Sequence, residues 1–355
     1  MSEDKPVLVR KVGSVGRLTL NRPKALHALT EEMCVLMSDA LLAWRDDPEV
    51  GVVLVDHAEG TRGFCAGGDI RMIAESGAGD GKAATDFFRA EYQLNTLIHN
   101  YPKPYVALMD GVTMGGGVGI SVHGSHRVTT ENTMFAMPES GIGLFPDVGG
   151  GWFLPRLPGE YGMWLALTGA RLKGSDVTAI GVGTHHVPAE MIGHLVSQIE
   201  TADFTFEPDN LLKSILSPLH KTVPDAECEA YESVINSCFS ADSVEGIIEA
   251  LKAVGSDWAL AQVKALETKS PQTLKVAFRQ IRTGKELQSF EDNMKMEYRI
   301  GWRQARSADF QEGVRAVIID KDHSPNWPSG SLSDVSDQKI EEIFSPLGTD
   351  ELTFL

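Results

Sequence analysis

Residues 105–130 read YVALMDGVTMGGGVGISVHGSHRVTT, two short apolar runs with a glycine-rich segment between them. The runs at 105–109 and 127–130 resemble a third one at 50–55, and such runs are typical of strands that are buried on both faces. The glycine-rich segment between the first two has the composition of a helix start. Strands that alternate with helices predict an α/β fold with parallel strands.

The flanking sequence extends this prediction in both directions. Residues 7–12 and 16–20 are separated by a glycine-containing turn and predict a hairpin. Thr30 is a candidate N-cap for a helix, because Glu31 and Glu32 follow it and apolar residues then recur at helical spacing. From about Pro208 onwards the apolar spacing is mainly helical, with cap candidates at Ser256 and Ser270. We therefore predict two domains, an α/β core at 1–207 that carries the active site and a helical region at 208–355.

The chain is acidic. It has 355 residues with 32 Lys and Arg against 49 Asp and Glu, a formal net charge of −17. This charge disfavours nucleic-acid binding but leaves room for a small anionic ligand held by local backbone N–H groups. The longest uncharged run, 111–126, is shorter than the ~20 apolar residues of a membrane span and is rich in glycine. We expect no membrane association.

The cysteines and the N-terminus bear on the compartment. Four scattered cysteines with no CxxC pair are typical of reduced thiols in an intracellular protein. The N-terminal sequence MSEDK contains acids and resembles neither a secretory signal nor an Arg-rich transit peptide. We predict a cytoplasmic protein, or one of the mitochondrial matrix if a transit peptide has been removed.

Three segments could carry chemistry. Residues 64–70 (FCAGGDI) and 115–119 (GGGVG) follow apolar runs, and their backbone N–H groups could face an oxyanion. Taken alone, 64–70 fits an ordinary glycine-containing loop better, and 115–119 fits close backbone packing equally well. In the third, 137–151, Glu139 and Asp147 lie in apolar, glycine-rich sequence that would raise their pKa values and suit general acid–base work. The alternative is a pair of loop acids bonded to backbone N–H groups.

Several other kinds of site are disfavoured. The glycine run lacks the Gly-Lys-Ser/Thr of a phosphate-binding loop, and no nucleophile elbow of the form GxSxG is present. The histidines show no ligand spacing, and the adjacent His185 and His186 fit an extended strand. We expect neither a metal nor a redox cofactor.

Four of these segments, taken in order, resemble the crotonase (enoyl-CoA hydratase/isomerase) superfamily. They are residues 20–29 (LNRPKALHAL), 64–70, 111–117 and 137–139, and the superfamily usually has Asn where His27 stands. Over nearly the full length, further segments resemble the branch that hydrolyses 3-hydroxyisobutyryl-CoA, among them 87–92, 141–151, 165–169 and 312–316. The resemblance implies a spiral of ββα units with a mainly helical C-terminal region, an oxyanion hole and acyl-CoA thioester substrates.

The resemblance also implies roles for individual residues. The N–H groups of Gly68 and Gly116 would form the oxyanion hole. Glu139 would act as general base or nucleophile, with Asp147 orienting Glu139 or the substrate hydroxyl and helping to protonate the leaving thiolate. The residues expected to bind the substrate are Glu91 in the acyl pocket and, along the CoA moiety, Lys24, Asp69, Ile70 and Arg71. CoA enters as part of the substrate, and a homo-oligomer is compatible with the sequence.

One departure separates two activities within the superfamily. Hydratases resemble each other in a glutamate two residues after the triple glycine, where this chain has Gly119, and typically have glycine where it has Asp147. We therefore predict hydrolysis of a short β-hydroxyacyl-CoA, best matched by 3-hydroxyisobutyryl-CoA of valine breakdown. The alternatives are an enoyl-CoA hydratase or isomerase, and a noncatalytic binding protein with this fold.

Overall fold

The computed structural model describes residues 5–223 and 226–355. The strands are β1 Val7–Val12, β2 Val15–Leu20, β3 Val52–His57, β4 Gly63–Cys65, β5 Tyr105–Met109, β6 Val112–Met114, β7 His126–Thr129, β8 Met134–Ala136, β9 Leu172–Lys173 and β10 His185–His186. The prediction about the N-terminal leader falls largely on residues 1–4, outside the described residues.

The helices of the first half are short, apart from α1 and α3. They are α1 Glu31–Arg45, α2 Ile70–Gly77, α3 Lys82–His99, α4 Gly116–Gly119, α5 Gly150–Phe153, α6 Tyr161–Thr168, α7 Gly174–Ala179 and α8 Ile192–Thr201. The C-terminal part is helical as predicted, with α9 Pro208–Leu219, α10 Glu232–Phe239, α11 Val244–Val254, α12 Asp257–Glu267, α13 Pro271–Glu286, α14 Phe290–Gln304, α15 Ala308–Val314 and α16 Asp337–Phe344.

Two sheets organise the strands. Six strands form one sheet in the order β1-β2-β3-β5-β7-β10, parallel throughout except for the β1–β2 hairpin. Four short strands form the second sheet in the order β4-β6-β8-β9, with only the last pair antiparallel. The predicted α/β class with parallel strands is confirmed. The predicted strand bounds were off by two residues at β3 and one at β7, because apolar composition marks a strand better than its ends.

Strand β3 shows why its sequence is apolar without alternation. Val53 and Val55 face the larger hydrophobic core, while Val52 and Leu54 face a smaller core formed with α8 and α9. Because helices cover both faces of this part of the sheet, both sets of side chains are removed from water. The buried sheet gives the loops at its edge a rigid base.

The predicted helix starts are confirmed at three serine or threonine caps. The side chains of Thr30, Ser256 and Ser270 accept hydrogen bonds from backbone N–H groups in the first turns of α1, α12 and α13. Such caps satisfy N–H groups that have no partner within the helix.

The two predicted domains share one hydrophobic core. The larger core contains residues from Val7 to Leu352, and α14 packs on α3. The helical region begins with α9 at Pro208, and the division at 207 and 208 into two domains stays a prediction. The four cysteines are free and buried, and no helix in the described ranges is long and apolar enough to cross a membrane.

Candidate active site

A pocket lies where the loop after β4, the start of α4 and helix α3 converge. Its lining includes apolar side chains of α2 and α3, Ile73, Phe87 and Phe88, and two from the segment after β8, Ile142 and Leu144. Six of the residues predicted from the sequence also line it: Gly68, Ile70, Glu91, Gly116, Glu139 and Asp147. The structure therefore brings together segments that are up to 79 residues apart in the chain, from 68 to 147.

The loop after β4 is tied to the segment before α1. The Leu29 N–H donates to the Gly67 carbonyl (2.7 Å), and the Asp69 N–H donates to the Leu29 carbonyl (3.0 Å). This pairing bonds the residues on both sides of Gly68. The Gly68 N–H itself donates to no other group in the described part of the chain. It is free to bind an oxygen in the pocket.

His27, the departure from the family pattern, has a structural role. It has a positive φ of 57°, and such backbone is more accessible to Asn and His than to most residues. Its ring accepts from the Arg22 N–H (3.0 Å) and lies 3.0 Å from the Thr61 hydroxyl. Burial lowers the pKa of His27 to about 4, so the ring is neutral and can accept that bond.

The second glycine segment presents another backbone donor. Gly115 precedes α4 with φ 46° and ψ −121°, a conformation that a side chain would strain. The Gly116 N–H has no acceptor among the described residues, and a side chain at 116 would overlap the Glu91 carboxyl. The glycine loops also lie close to each other, since a Cβ on Gly67 would be 3.9 Å from the Gly116 nitrogen.

Three carboxyls share the pocket without a cation. Glu91, Glu139 and Asp147 are at most 5% exposed, and no Lys or Arg in the described ranges forms a salt bridge with them. Burial, and then the neighbouring carboxylates, raise the pKa values of Glu91 and Glu139 well above their usual range. Burial also raises the pKa of Asp147 to about 7, against the opposing hydrogen bond from Tyr92. Such a cluster holds protons near neutral pH.

Two residues around Asp147 were missed by the sequence analysis as functional candidates. The Tyr92 hydroxyl donates to Asp147 Oδ2 (2.9 Å), and the buried carboxylate of Glu297 accepts from the Gly149 N–H (2.7 Å) and the Gly151 N–H (2.8 Å). Tyr92 lies in the segment 87–92, so the resemblance carried a signal for it. Glu297 lies with Asn293 and Gly301 on the buried face of α14, and its local sequence carried no signal that distinguished it from an exposed glutamate.

Gly119 has no room for a side chain. A Cβ there would lie 2.6 Å from the Val148 Cβ and 2.8 Å from the Asn95 side-chain nitrogen. Real Cβ atoms essentially never approach other atoms below 3.0 Å. The space that a glutamate side chain at this position would need is therefore occupied by Val148 and Asn95.

Three residues predicted to contact CoA do not line the pocket: Asp69, Lys24 and Arg71. Asp69 accepts from the Met72 N–H at the start of α2 and forms an ion pair with Arg22 (3.5 Å). Lys24 lies on the short 3-10 helix Pro23–Ala25, Arg71 lies on α2, and both side chains are exposed. Their contact with CoA stays a prediction. Within the described ranges, His, Cys, Asp and Glu form no cluster that could hold a metal ion.

Residues 15–344 match the protein family described as enoyl-CoA hydratase/isomerase. Two curated relatives are similar over almost the whole chain, and both are described as "3-hydroxyisobutyryl-CoA hydrolase, mitochondrial". The Danio rerio protein is 49% identical, with 98% of this chain and 91% of that protein covered. The Xenopus tropicalis protein is 47% identical, with 99% of this chain and 91% of that protein covered.

A solved structure with a different described activity is also similar. The carnitinyl-CoA dehydratase from Mycobacterium thermoresistibile superposes with a TM-score of 0.92 at 40% identity, and 99% of each chain is covered. The spiral α/β fold predicted from the resemblance is thus confirmed. These similar proteins are named for different reactions. The geometry around Gly119 and Asp147 must therefore decide which reaction this pocket supports.

Proposed function

Because this chain belongs to the enoyl-CoA hydratase/isomerase family, and within it to the group of the 3-hydroxyisobutyryl-CoA hydrolases, we propose that it hydrolyses the thioester of 3-hydroxyisobutyryl-CoA. The products are 3-hydroxyisobutyrate and CoA, a step that fits valine breakdown. The substrate is the only CoA-containing partner that the proposal needs.

The observation that carries this proposal is the arrangement of the acids. Hydration needs an acid and a base on the same face of the substrate, and the hydratases resemble each other in placing one of them at the position of Gly119. Here Val148 and Asn95 fill that space, while Asp147 enters the pocket beside Glu139. This arrangement supports thioester cleavage over hydration.

The two glycine N–H groups would bind the thioester oxygen. As water or Glu139 adds to the carbonyl carbon, negative charge develops on that oxygen. The N–H groups of Gly68 and Gly116 lack acceptors within the described residues, so they are available for this charge. In a site that excludes water, each such donor lowers the barrier by ~3 kcal/mol.

Glu139 would attack the carbonyl directly or through water. Because its pKa is raised, the ionised form of Glu139 is a stronger base and nucleophile than an exposed carboxylate. By the direct route, a Glu139 oxygen bonds to the acyl carbon, CoA leaves as a thiolate, and water then hydrolyses the mixed anhydride. By the other route, Glu139 takes a proton from water as the hydroxide adds to the carbon. In both, Asp147 is suited to hand a proton to the sulfur, because burial raises its pKa to about 7.

Glu91 would read the substrate hydroxyl. Its Oε1 atom is buried without a hydrogen-bond partner among the described residues, next to Gly116. Burial raises its pKa well above the usual range, so the neutral form is favoured and does not repel the developing oxyanion. A substrate hydroxyl that pairs with this carboxyl would satisfy it, whereas isobutyryl-CoA would leave it unpaired.

The test of the function is a thiol-release assay with three CoA esters. We expect 3-hydroxyisobutyryl-CoA to exceed isobutyryl-CoA by ~100-fold in kcat/KM, because the analogue leaves polar groups unpaired. Hydration of crotonyl-CoA is measured by the loss of its enoyl absorbance. It should be no faster than thiol release from isobutyryl-CoA. Glu139→Gln should release thiol ~1,000-fold more slowly but still bind the ester.

The result that would overturn the proposal is efficient hydration of crotonyl-CoA without thiol release from the hydroxy ester. A single turnover in ¹⁸O-water tests for the direct route. Label in the Glu139 carboxyl requires a mixed anhydride whose hydrolysis occurs at the Glu139 carbonyl. The absence of a redox or metal cofactor, the cytoplasmic or matrix compartment and the oligomeric state stay predictions, and the two relatives are described as mitochondrial.

A further inference from the structure

The turn that carries Asp147 has an unfavourable backbone conformation. Val148 has a positive φ of 52° although it is β-branched, and its side chain is fully buried. Residues of this type are rarely found there, and such conformations persist only where the surroundings hold them. The turn therefore needs bonds from outside its own sequence.

Those bonds come from two directions. The carbonyl of Val148 accepts a hydrogen bond from His123 Nε2 (2.7 Å). Burial lowers the pKa of His123 to about 3, so its ring stays neutral and donates through this nitrogen. The N–H groups of Gly149 and Gly151 both donate to Glu297, at 2.7 Å and 2.8 Å.

Glu297 is itself fixed by two amide side chains. Asn293 Nδ2, one turn earlier on α14, donates to Glu297 Oε1 (2.9 Å), and Gln280 Nε2 on α13 donates to the same oxygen (3.2 Å). Gln280 also donates to the carbonyl of Pro146, directly before Asp147 (2.7 Å). Bonds from the C-terminal helices thus reach the chain on both sides of Asp147.

A carboxylate suits this position for a chemical reason. Four N–H donors converge on Glu297, and an ionised carboxylate is an acceptor on both oxygens. An amide of the same shape would aim its own N–H groups at one of those donors. Burying a carboxylate without a cation is costly, so these bonds are what offsets its burial.

We propose that Glu297 is a positioning residue, which holds the turn 146–151 so that Asp147 faces Glu139 and the substrate. This role rests on the proposed thioester hydrolysis. Glu297 touches no substrate atom, since it does not line the pocket. It acts through the backbone of the turn, and through its charge on the carboxyls of Asp147, Glu139 and Glu91.

Because Glu297 carries a negative charge, its positioning role should affect the pH dependence of the reaction as well as the stability of the fold. Burial raises the pKa of Glu297, but the hydrogen bonds from Gly149, Asn293 and Gly151 oppose this shift and favour the carboxylate. The charge of that carboxylate in turn favours the protonated forms of Glu91 and Glu139. The other polar groups that face Glu297 and its turn are neutral: Asn293, Gln280, His123 and Tyr92. Removing the charge should therefore move the pH profile of kcat/KM towards acid.

The test compares Glu297→Gln with Asp176→Asn. Asp176 is also a buried carboxylate that accepts a backbone N–H across the two parts of the chain, from Cys228 (3.0 Å), but it lies outside the pocket. We expect Glu297→Gln to lower kcat at least ~10-fold with KM changed less than ~3-fold, and to shift the pH profile. Asp176→Asn should lower the melting temperature but leave kcat and the profile unchanged.

A second measurement does not depend on turnover. Hydrogen exchange of the backbone at 147–151, followed by mass spectrometry, should be at least ~10-fold faster in Glu297→Gln and unchanged in Asp176→Asn. If Glu297→Gln does not fold, Asn293→Ala removes one donor to Glu297 and should shift kcat and exchange in the same direction by a smaller factor.

The outcomes separate this proposal from the proposed function. A wild-type protein that releases no thiol overturns the function, and the exchange experiment then decides the role of Glu297 in holding the turn. A folded Glu297→Gln protein with wild-type kcat, pH profile and exchange overturns the positioning role. The positioning role is also overturned if Asp176→Asn and Glu297→Gln lower the melting temperature equally and lower kcat equally.

Discussion

Replacing Asp147 with Asn should stabilise the protein at alkaline pH while it lowers activity. Asp147 is 5% exposed, and its Oδ2 accepts from the Tyr92 hydroxyl (2.9 Å). Asn has the same shape and keeps an acceptor oxygen for that bond. The change therefore removes one buried charge and little else.

The size of the effect follows from the pKa of Asp147. Burial raises this pKa from its ordinary value of 3.8 to about 7. Between these values the folded state binds the proton and the unfolded state does not, so the free energy of unfolding of the wild type falls as the pH rises. The loss amounts to ~4 kcal/mol once the pH is above the folded pKa, since each pH unit between the two pKa values costs ~1.4 kcal/mol.

The measurement is urea unfolding of both proteins at about pH 5 and about pH 8. Because Asn does not titrate, the stability of Asp147→Asn relative to wild type should increase by ~2–3 kcal/mol between these two pH values. Any cost of the new amide N–H groups is the same at both, so it cancels in the comparison. Thiol release should fall ~100-fold in the same variant, since a group of the reaction has been lost.

Asp176→Asn is the control, because its carboxylate is buried outside the pocket and accepts from the Cys228 N–H. It should lose stability and keep its activity. The reasoning about Asp147 is refuted if Asp147→Asn is no more stable than wild type at pH 8, or if the stability difference is the same at both pH values. A pH-dependent gain together with full activity would show that the carboxyl is buried for some other purpose.

Four further substitutions test the pocket and the predicted CoA contacts. Gly116→Val should lower thiol release at least ~100-fold in a folded protein, because its side chain overlaps Glu91 and disturbs the oxyanion donor; Gly193→Val, where nothing lies within 4 Å, is the control. Gly119→Glu should lower the melting temperature and gain no crotonyl-CoA hydration, because its Cβ meets Val148; measurable hydratase activity would contradict this. Lys24→Ala and Arg71→Ala should each raise KM several-fold with kcat unchanged, and an unaltered KM in both would remove them from the CoA site.

The sequence carried much of the fold because burial leaves a direct trace in composition. The apolar run at 50–55 indicated a strand covered on both faces, and β3 is such a strand. The caps at Thr30 and Ser270 were visible because a single side chain decides where a helix begins. Strands β4, β6 and β8 have three residues each, too few to show any periodicity, and their place in a sheet follows from pairing with distant segments.

The sequence predicted those parts of the candidate site whose residues lie within a single segment. The glycines at 115–117 and the acids at 139 and 147 stand in unusual local sequence, and all of them except Gly117 line the pocket. Glu297 differs, because its bonds to Gly149 and Gly151 span 148 and 146 residues. A single glutamate in a helix is usually an exposed side chain, so only its three-dimensional contacts distinguish it.

The presence of a carboxyl at 147 and of glycine at 119 affects both the chemistry of the pocket and its packing. Gly119 lets Val148 pack against α4, and Val148 holds its strained conformation next to Asp147. A glutamate at 119 would push Val148 away and move Asp147 with it. In this chain the packing around Val148 therefore leaves no room for a further carboxyl at 119 beside the one at 147. This exclusion couples the choice between hydration and hydrolysis to the shape of a single turn.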